Sequence, residues 1–179
     1  MKRRITVLFL SLLMIFSFTI KPVMQVDAYQ QYHQRAAKKI LPLCNDLRKY
    51  NAWYYTESGR VKRVKGLKRL KWDKGLEAVA KRRALELSEK YSHTRPDGSN
   101  WDTIYRPEED VYRAKGENIA FGYTNYRDMY IAWEEEDLGY DGQAHRRNIL
   151  NENFQYIGIA CVEVDGVKYW VQEFGGLKK

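Results

Sequence analysis

Hydrophobic and polar positions divide the chain into a short leader and one longer body. Lys2, Arg3 and Arg4 precede an apolar run from Ile5 to Ile20, interrupted only by Thr6, Ser11, Ser17 and Thr19. Lys21 and Pro22 end the run, and Val26-Asp27-Ala28 follows with the small-residue spacing a signal peptidase reads. The run is shorter than the roughly 20 residues that span a bilayer core. Residues 1–28 are therefore expected to be a cleaved secretion signal, with no membrane span after cleavage and the mature protein extracellular.

Past the leader, residues 29–40 read as an N-terminal arm and 41–179 as a single domain. Ile40, Leu43, Cys44 and Leu47 recur at helical spacing, with Pro42 near the helix start and Arg48 and Lys49 near its end. From Ala52 to Lys71 the pattern is irregular: Trp53, Tyr54 and Tyr55 are followed by Ser58-Gly59 and a dense basic series from Arg60 to Arg69. Val61, Val64, Leu67 and Leu70 within that series are spaced to seat a basic ribbon on the core with its charges solvated; gripping an anionic partner is the alternative. Asp73 is a good N-cap for a second helix whose stripe is Leu76, Val79, Ala80, Ala84, Leu87 and Tyr91. Asn125 is placed to cap a third, in which Met129, Ala132, Trp133 and Glu136 share a face. Gly139 to Gly142 breaks that helix, and Ala144 to Leu150 make a short final one.

Extended segments are fewer. Gly116 to Ala120 is short, whereas Tyr156–Val164 and Val167–Phe174 alternate around Asp165-Gly166, a strong hairpin signal. Helices first, one central strand and a terminal hairpin predict an α+β domain: an antiparallel sheet of about three strands covered by helices.

Composition changes this picture little. The net charge of +8 falls to about +5 once Lys2, Arg3, Arg4, Lys21 and Asp27 leave with the signal, an ordinary solubility margin. A monomer is expected, with no nucleic-acid partner. Cys44 and Cys161 each sit among apolar residues, and an exported chain meets a compartment where a disulfide persists. A Cys44–Cys161 bridge and two buried thiols are both open. No Gly-rich phosphate loop, Cys-x-x-Cys pair or Gly-x-Ser-x-Gly elbow occurs, which argues against nucleotide, zinc-finger and serine-hydrolase chemistry.

Three histidines remain as candidate chemistry. His33 lies in the arm; His93 and His145 sit at element ends beside turns. A lone histidine there is commonly a cap or a core residue, so the joint pattern carries more weight than either position. Ser92-His93-Thr94-Arg95-Pro96-Asp97-Gly98, then Gly116-Glu117-Asn118-Ile119-Ala120, then His145-Arg146-Arg147-Asn148-Ile149-Leu150 occur in order before Tyr156-Ile157-Gly158-Ile159-Ala160.

That succession resembles the CAP superfamily, or SCP-like domain, named for cysteine-rich secretory proteins, antigen 5 and plant pathogenesis-related proteins. The chain looks like a bacterial extracellular member, over about Leu41 to Gly175. The resemblance implies an α-β-α sandwich with a cleft lined by His93, Glu117, Glu136 and His145. Glu136 is assigned because members with the second acid place it three residues after a helix tryptophan, here Trp133; Glu134 and Glu135 are rivals. Bacterial relatives often have a small polar residue there and a short link, whereas this chain inserts Glu134 to Gln143.

The implied function is a secreted ligand-binding or interaction module for a lipid, a glycan or a cell-surface protein. No cofactor is required, although His93 and His145 would be the metal ligands for zinc or another divalent cation. The alternative is an extracellular metal-dependent hydrolase or peptidase with Glu117 or Glu136 as general base; whether the chain is an enzyme stays open. Tyr105, Tyr112, Tyr123, Tyr126 and Tyr130 flank the motifs, as packing residues or as platforms for a ligand.

Overall fold

The computed structural model describes residues 29–177. The expected signal, residues 1–28, lies outside the described residues, as do Lys178 and Lys179. Among the described residues no helix is long and apolar enough to cross a membrane.

A short strand β1 (Gln30–Tyr32) leads through helix α1 (Gln34–Lys38) into α2 (Ile40–Tyr50). The chain then makes a small hairpin, β2 (Trp53–Tyr55) and β3 (Val61–Arg63), before β4 (Lys71–Trp72) and the long α3 (Lys74–Glu89). Strand β5 (Lys115–Phe121), α4 (Tyr126–Glu134), α5 (Ala144–Ile149), β6 (Tyr156–Val164) and β7 (Val167–Gly175) complete the fold. The main sheet runs β1-β6-β7-β5, antiparallel throughout, with β4 added parallel to β6. Five strands thus replace the three expected. The two extra ones are three and two residues long, too short to show the alternation that identifies a strand. The arm of residues 29–40 is likewise ordered, its β1 paired with β6 from Gln30↔Val164 to Tyr32↔Val162.

Alternation in β6 sorts side chains to two faces. Ile157, Ile159 and Cys161 meet Ile40, Cys44 and Leu47 of α2, Met129 and Trp133 of α4, and Ile149 of α5. Ala160, Val162 and Val164 meet Ala80, Ala84 and Leu87 of α3. Helices thus cover both faces, giving the α-β-α sandwich. Asp73 Oδ1 accepts from the N–H groups of Gly75 (2.8 Å) and Leu76 (3.2 Å), starting α3 where the capping pattern indicated. Asn125 Oδ1 does the same for α4 through Arg127 and Asp128. Asp165 and Gly166, at φ 49° and 81°, form the β6–β7 turn, with the positive φ at both positions that a type I′ hairpin turn requires.

No bridge joins the cysteines. Cys44 and Cys161 are free thiols buried in the core, and burial pushes both up to about 12. Gln172 Nε2 approaches Cys44 Sγ at 3.4 Å. The core has taken each sulfur as a small hydrophobe. Tyr91, placed on the α3 stripe by spacing, lies beyond the helix end and is largely exposed.

Candidate functional site

Strand β5 is the free edge of the main sheet, and the site is assembled along it. Glu117 and Ile119 project toward α3, whereas Asn118 and Ala120 project toward α4 and α5. His93 follows α3 on the first side; His145 opens α5 on the second.

On the α3 side, His93 Nδ1 lies 2.8 Å from Glu117 Oε1. Glu117 is held by Arg83, whose Nε donates to Oε2 at 2.6 Å and whose Nη2 donates to Oε1 at 3.3 Å. Arg83 is fully buried and directs its other donors to Glu86 Oε2 (2.9 Å) and the Ser92 carbonyl (2.9 Å). One guanidinium thereby fixes the acid, the end of α3 and the loop that carries His93. Those bonds outweigh desolvation and hold the Arg83 pKa above its ordinary value. His93 itself is open, its side chain 56% exposed.

On the α5 side the acid is Glu135. Its Oε1 bonds His145 Nδ1, while Oε2 accepts from the backbone N–H groups of His145 (2.9 Å) and Arg146 (3.2 Å). The expected second acid, Glu136, meets neither histidine: it is exposed, and its Oε1 accepts from Asn51 Nδ2 at 2.7 Å. Helical periodicity counted from Trp133 reaches Glu136 only if the helix continues. Instead α4 stops at Glu134 and Glu135 turns left-handed, at φ 47° and ψ 37°. That turn swings Glu135 inward and puts Glu136 in solvent. Glu134, the other rival, contributes its carbonyl to Arg146 Nη1 at 2.8 Å.

Arg146 is the counterpart of Arg83. Fully buried, it also donates to the carbonyls of Trp53 (2.6 Å) and Asn51 (2.9 Å). Asn118 and Asn148 join the two halves: Asn118 Nδ2 donates to the His145 carbonyl, and Asn148 Nδ2 donates to Asn118 Oδ1 and to the Glu117 carbonyl. Arg83 is not among the residues the sequence singles out, although its spacing from Val79 and Leu87 sets a cation on the apolar α3 stripe. Arg146 was hidden inside a short basic cluster.

Behind Glu117 lies a residue the motifs do not include. Glu173 is its cross-strand partner on β7 and is fully buried. Tyr105 donates its hydroxyl to Glu173 Oε2 at 2.9 Å, whereas Oε1 meets no N–H or O–H donor among the described residues. Burial first, and the adjacent Glu117 charge second, push the Glu173 carboxyl well above the ordinary carboxylate range.

Each imidazole is thus anchored through Nδ1, leaving Nε2 for whatever enters. Tyr105, Tyr112 and Tyr130 are buried packing residues, and the Tyr126 ring lies under Lys39. Tyr123 is different: with His145, Tyr91, Phe121, Met129 and Trp133 it lines a pocket of about 220 Å³. Tyr91, Phe121 and Tyr123 are exposed at its mouth, and Tyr91 meets Phe121 edge-on at 4.6 Å. A larger apolar groove, about 610 Å³, runs between α2 and α4 past Pro42, Leu43, Tyr126 and Ile131. No imidazole lines it.

A carboxylate at Nδ1 with Nε2 open is how a metal-bound imidazole is oriented, so His93 and His145 are the two side chains that could offer a nitrogen to a divalent ion. No three His, Cys, Asp or Glu side chains are gathered as a metal site among the described residues. The two site carboxylates are committed to Nδ1 atoms, arginine and backbone N–H groups, and catalytic zinc sites use three protein ligands.

Comparison with known proteins adds to the geometry. The family model for the cysteine-rich secretory proteins (CAP) matches residues 41–174. A Bacillus subtilis protein, the uncharacterized YkwD, is 33% identical over 114 residues, 62% of this chain and 41% of that protein. The chain therefore matches about two-fifths of its relative's length. An outer surface protein from Borrelia burgdorferi superposes with a TM-score of 0.65 at 21% identity, covering 85% of this chain and 99% of that one. An extracellular SCP-domain protein from Bacillus anthracis gives 0.60 at 21% identity, covering 80% and 41%. At these identities the superpositions bear on the fold alone.

Proposed function

The chain belongs to the cysteine-rich secretory protein (CAP) family, and from that premise we propose an exported binding module that takes a glycan ring at His145. The observation that carries this reading is the pocket of about 220 Å³ between His145 and the exposed aromatic residues Tyr91, Phe121 and Tyr123. Small-molecule pockets usually run from about 300 to 1,000 Å³, so this one suits a single ring rather than a long chain. Aromatic faces offer an apolar surface to a sugar's C–H face, while an imidazole held by Glu135 offers a fixed polar partner for its hydroxyls. An acyl chain would find more apolar wall in the larger groove between α2 and α4.

Both halves of the site are braced by fully buried arginines, Arg83 and Arg146. Such bracing preorganises a surface, and preorganisation lowers the entropy lost on binding. The hydrolase alternative is weaker: no Ser, Thr or Cys side chain bonds either site imidazole among the described residues, and the carboxylates are not free to serve a metal-bound water.

Calorimetric titration of the purified protein with a short N-acetylglucosamine oligomer tests the proposal. Phe121→Ser should weaken binding about tenfold, Glu135→Gln should weaken it by releasing His145, and Glu136→Gln should leave it unchanged. Absence of binding, or binding insensitive to Phe121 and Glu135, overturns the glycan reading. Stoichiometric zinc uptake lost in both His93→Ala and His145→Ala would instead restore the metal-dependent alternative.

A further inference from the structure

Between Arg60 and Lys71 the chain carries seven cations and no acid. All seven side chains are exposed. None lies within ion-pair distance of a carboxylate among the described residues. Some cations elsewhere are paired, as Lys81 is with Glu77 and Lys115 with Asp110; others, such as Arg35 and Lys90, stand apart from one another, so it is the density of this run that sets it off. Clustered like charges repel one another and oppose the compact state, so an unpaired run of this density needs an external counter-charge or a strong scaffold.

The scaffold is present. Leu70 is buried, and Leu67 packs against the core. Asn45 bonds Leu70 in both directions, at 2.7 and 3.1 Å, and the buried Arg48 donates to the Lys68 carbonyl at 2.9 Å. At the other end, Val64 N–H donates to the Ala52 carbonyl at 2.8 Å. The backbone is thus fastened inward while the charges are held outward.

These cations also form one wall of a groove. A space of about 340 Å³ lies between Lys62, Arg63 and Lys65 on the ribbon and Arg147 on α5, with Glu152 the acid on its rim. Arg147 is fixed by its bond to the Tyr140 carbonyl and by stacking 4.2 Å over the Tyr140 ring.

We propose that this groove binds a flexible polyanion with phosphodiester-linked repeats, of the kind an exported protein meets in a cell envelope. Guanidinium and ammonium groups on facing walls suit a chain of phosphates threading between them. A bilayer surface is flat and cannot enter the groove. A single-stranded nucleic acid would need bare aromatic faces for its bases, and the aromatic ring lining this groove, Tyr54, is covered by Lys62 at 5.5 Å. The surface is separate from the His145 pocket, so the two proposals stand or fall independently.

The test is binding of the purified protein to poly(glycerol phosphate) across a salt series, with circular dichroism of each variant. Affinity should fall steeply with salt, and Lys62→Ser/Arg63→Ser/Lys65→Ser should lower it at least about tenfold. A control that removes the same charge from other exposed cations, Arg35→Ser/Lys39→Ser/Lys90→Ser, should lower it less than about threefold. Equal losses in the two triple variants would make the effect one of net charge and overturn the proposal. So would absence of binding, or tighter binding to phosphatidylglycerol vesicles or to a single-stranded oligonucleotide.

Discussion

Glu173 faces Glu117, Arg83 and Tyr105 in a space closed to water. Arg83 already neutralises Glu117, and Tyr105 donates to one Glu173 oxygen without bringing charge. A second carboxylate there would be an unpaired buried anion, so the fold favours the protonated form of Glu173. A proton bound more tightly in the fold than in the unfolded chain contributes stability fully below the ordinary carboxylate pKa, and that contribution is lost as pH rises through the raised value. The melting temperature should therefore decline as pH rises beyond the ordinary carboxylate range, and Glu173→Gln, an uncharged mimic of the protonated acid, should flatten that decline. Thermal melts from acid to mildly alkaline pH check it: parallel curves for the two proteins would mean that Glu173 is ionised in the fold.

At the scale of elements, the placement of α3 is governed by one missing side chain. A Cβ at Gly158 on β6 would stand 2.1 Å from the backbone of Leu76 and Glu77. Backbone cannot rotate aside as a side chain does, so Gly158→Ala must push α3 off the sheet. A loss of about 3 kcal/mol is expected, at the upper end of overpacking costs, and urea unfolding measures it. Because α3 carries Arg83 and leads to His93, the same variant should loosen that half of the site. Residues of this kind explain what sequence could and could not convey. The helices with caps and stripes, and the Asp165-Gly166 hairpin, were legible because several turns repeat one period. β1 and β4 were not, since two or three residues hold no period and owe their state to the exposed edge of β6. Glu117 was legible through its motif, whereas Glu135 depended on where α4 ends. Its left-handed turn leaves no Gly or Asn to announce it, and the spacing from Trp133 carried over from the family resemblance led to Glu136, with Glu135 only a rival.

For the whole molecule, α5 is the meeting point of the two proposed surfaces. Six residues long, it carries His145 at the pocket and Arg147 at the groove. A helix that short has little stability of its own. It is held from outside: Glu135 caps its N–H groups, Arg146 ties it to the β2 segment, and Arg48 of α2 donates to the Ile149 and Asn151 carbonyls at 2.7 and 3.0 Å. Integrity therefore rests on buried arginines and a sheet covered on both faces, not on a covalent link, even in a chain expected to work outside the cell. The sulfur atoms of Cys44 and Cys161 are enclosed in the core and held protonated by burial, so neither offers the exposed thiolate that oxidation requires. The melting temperature should accordingly be the same with and without dithiothreitol. Both thiols should resist a thiol reagent in the native protein and react once it is unfolded. A reductant-sensitive melt, with a mass two hydrogens short of the dithiol, would show instead that export joins the two cysteines and that the core rearranges to let them meet. A native bridge would have added roughly 2–4 kcal/mol, so its absence assigns that share of stability to packing and the arginine clamps.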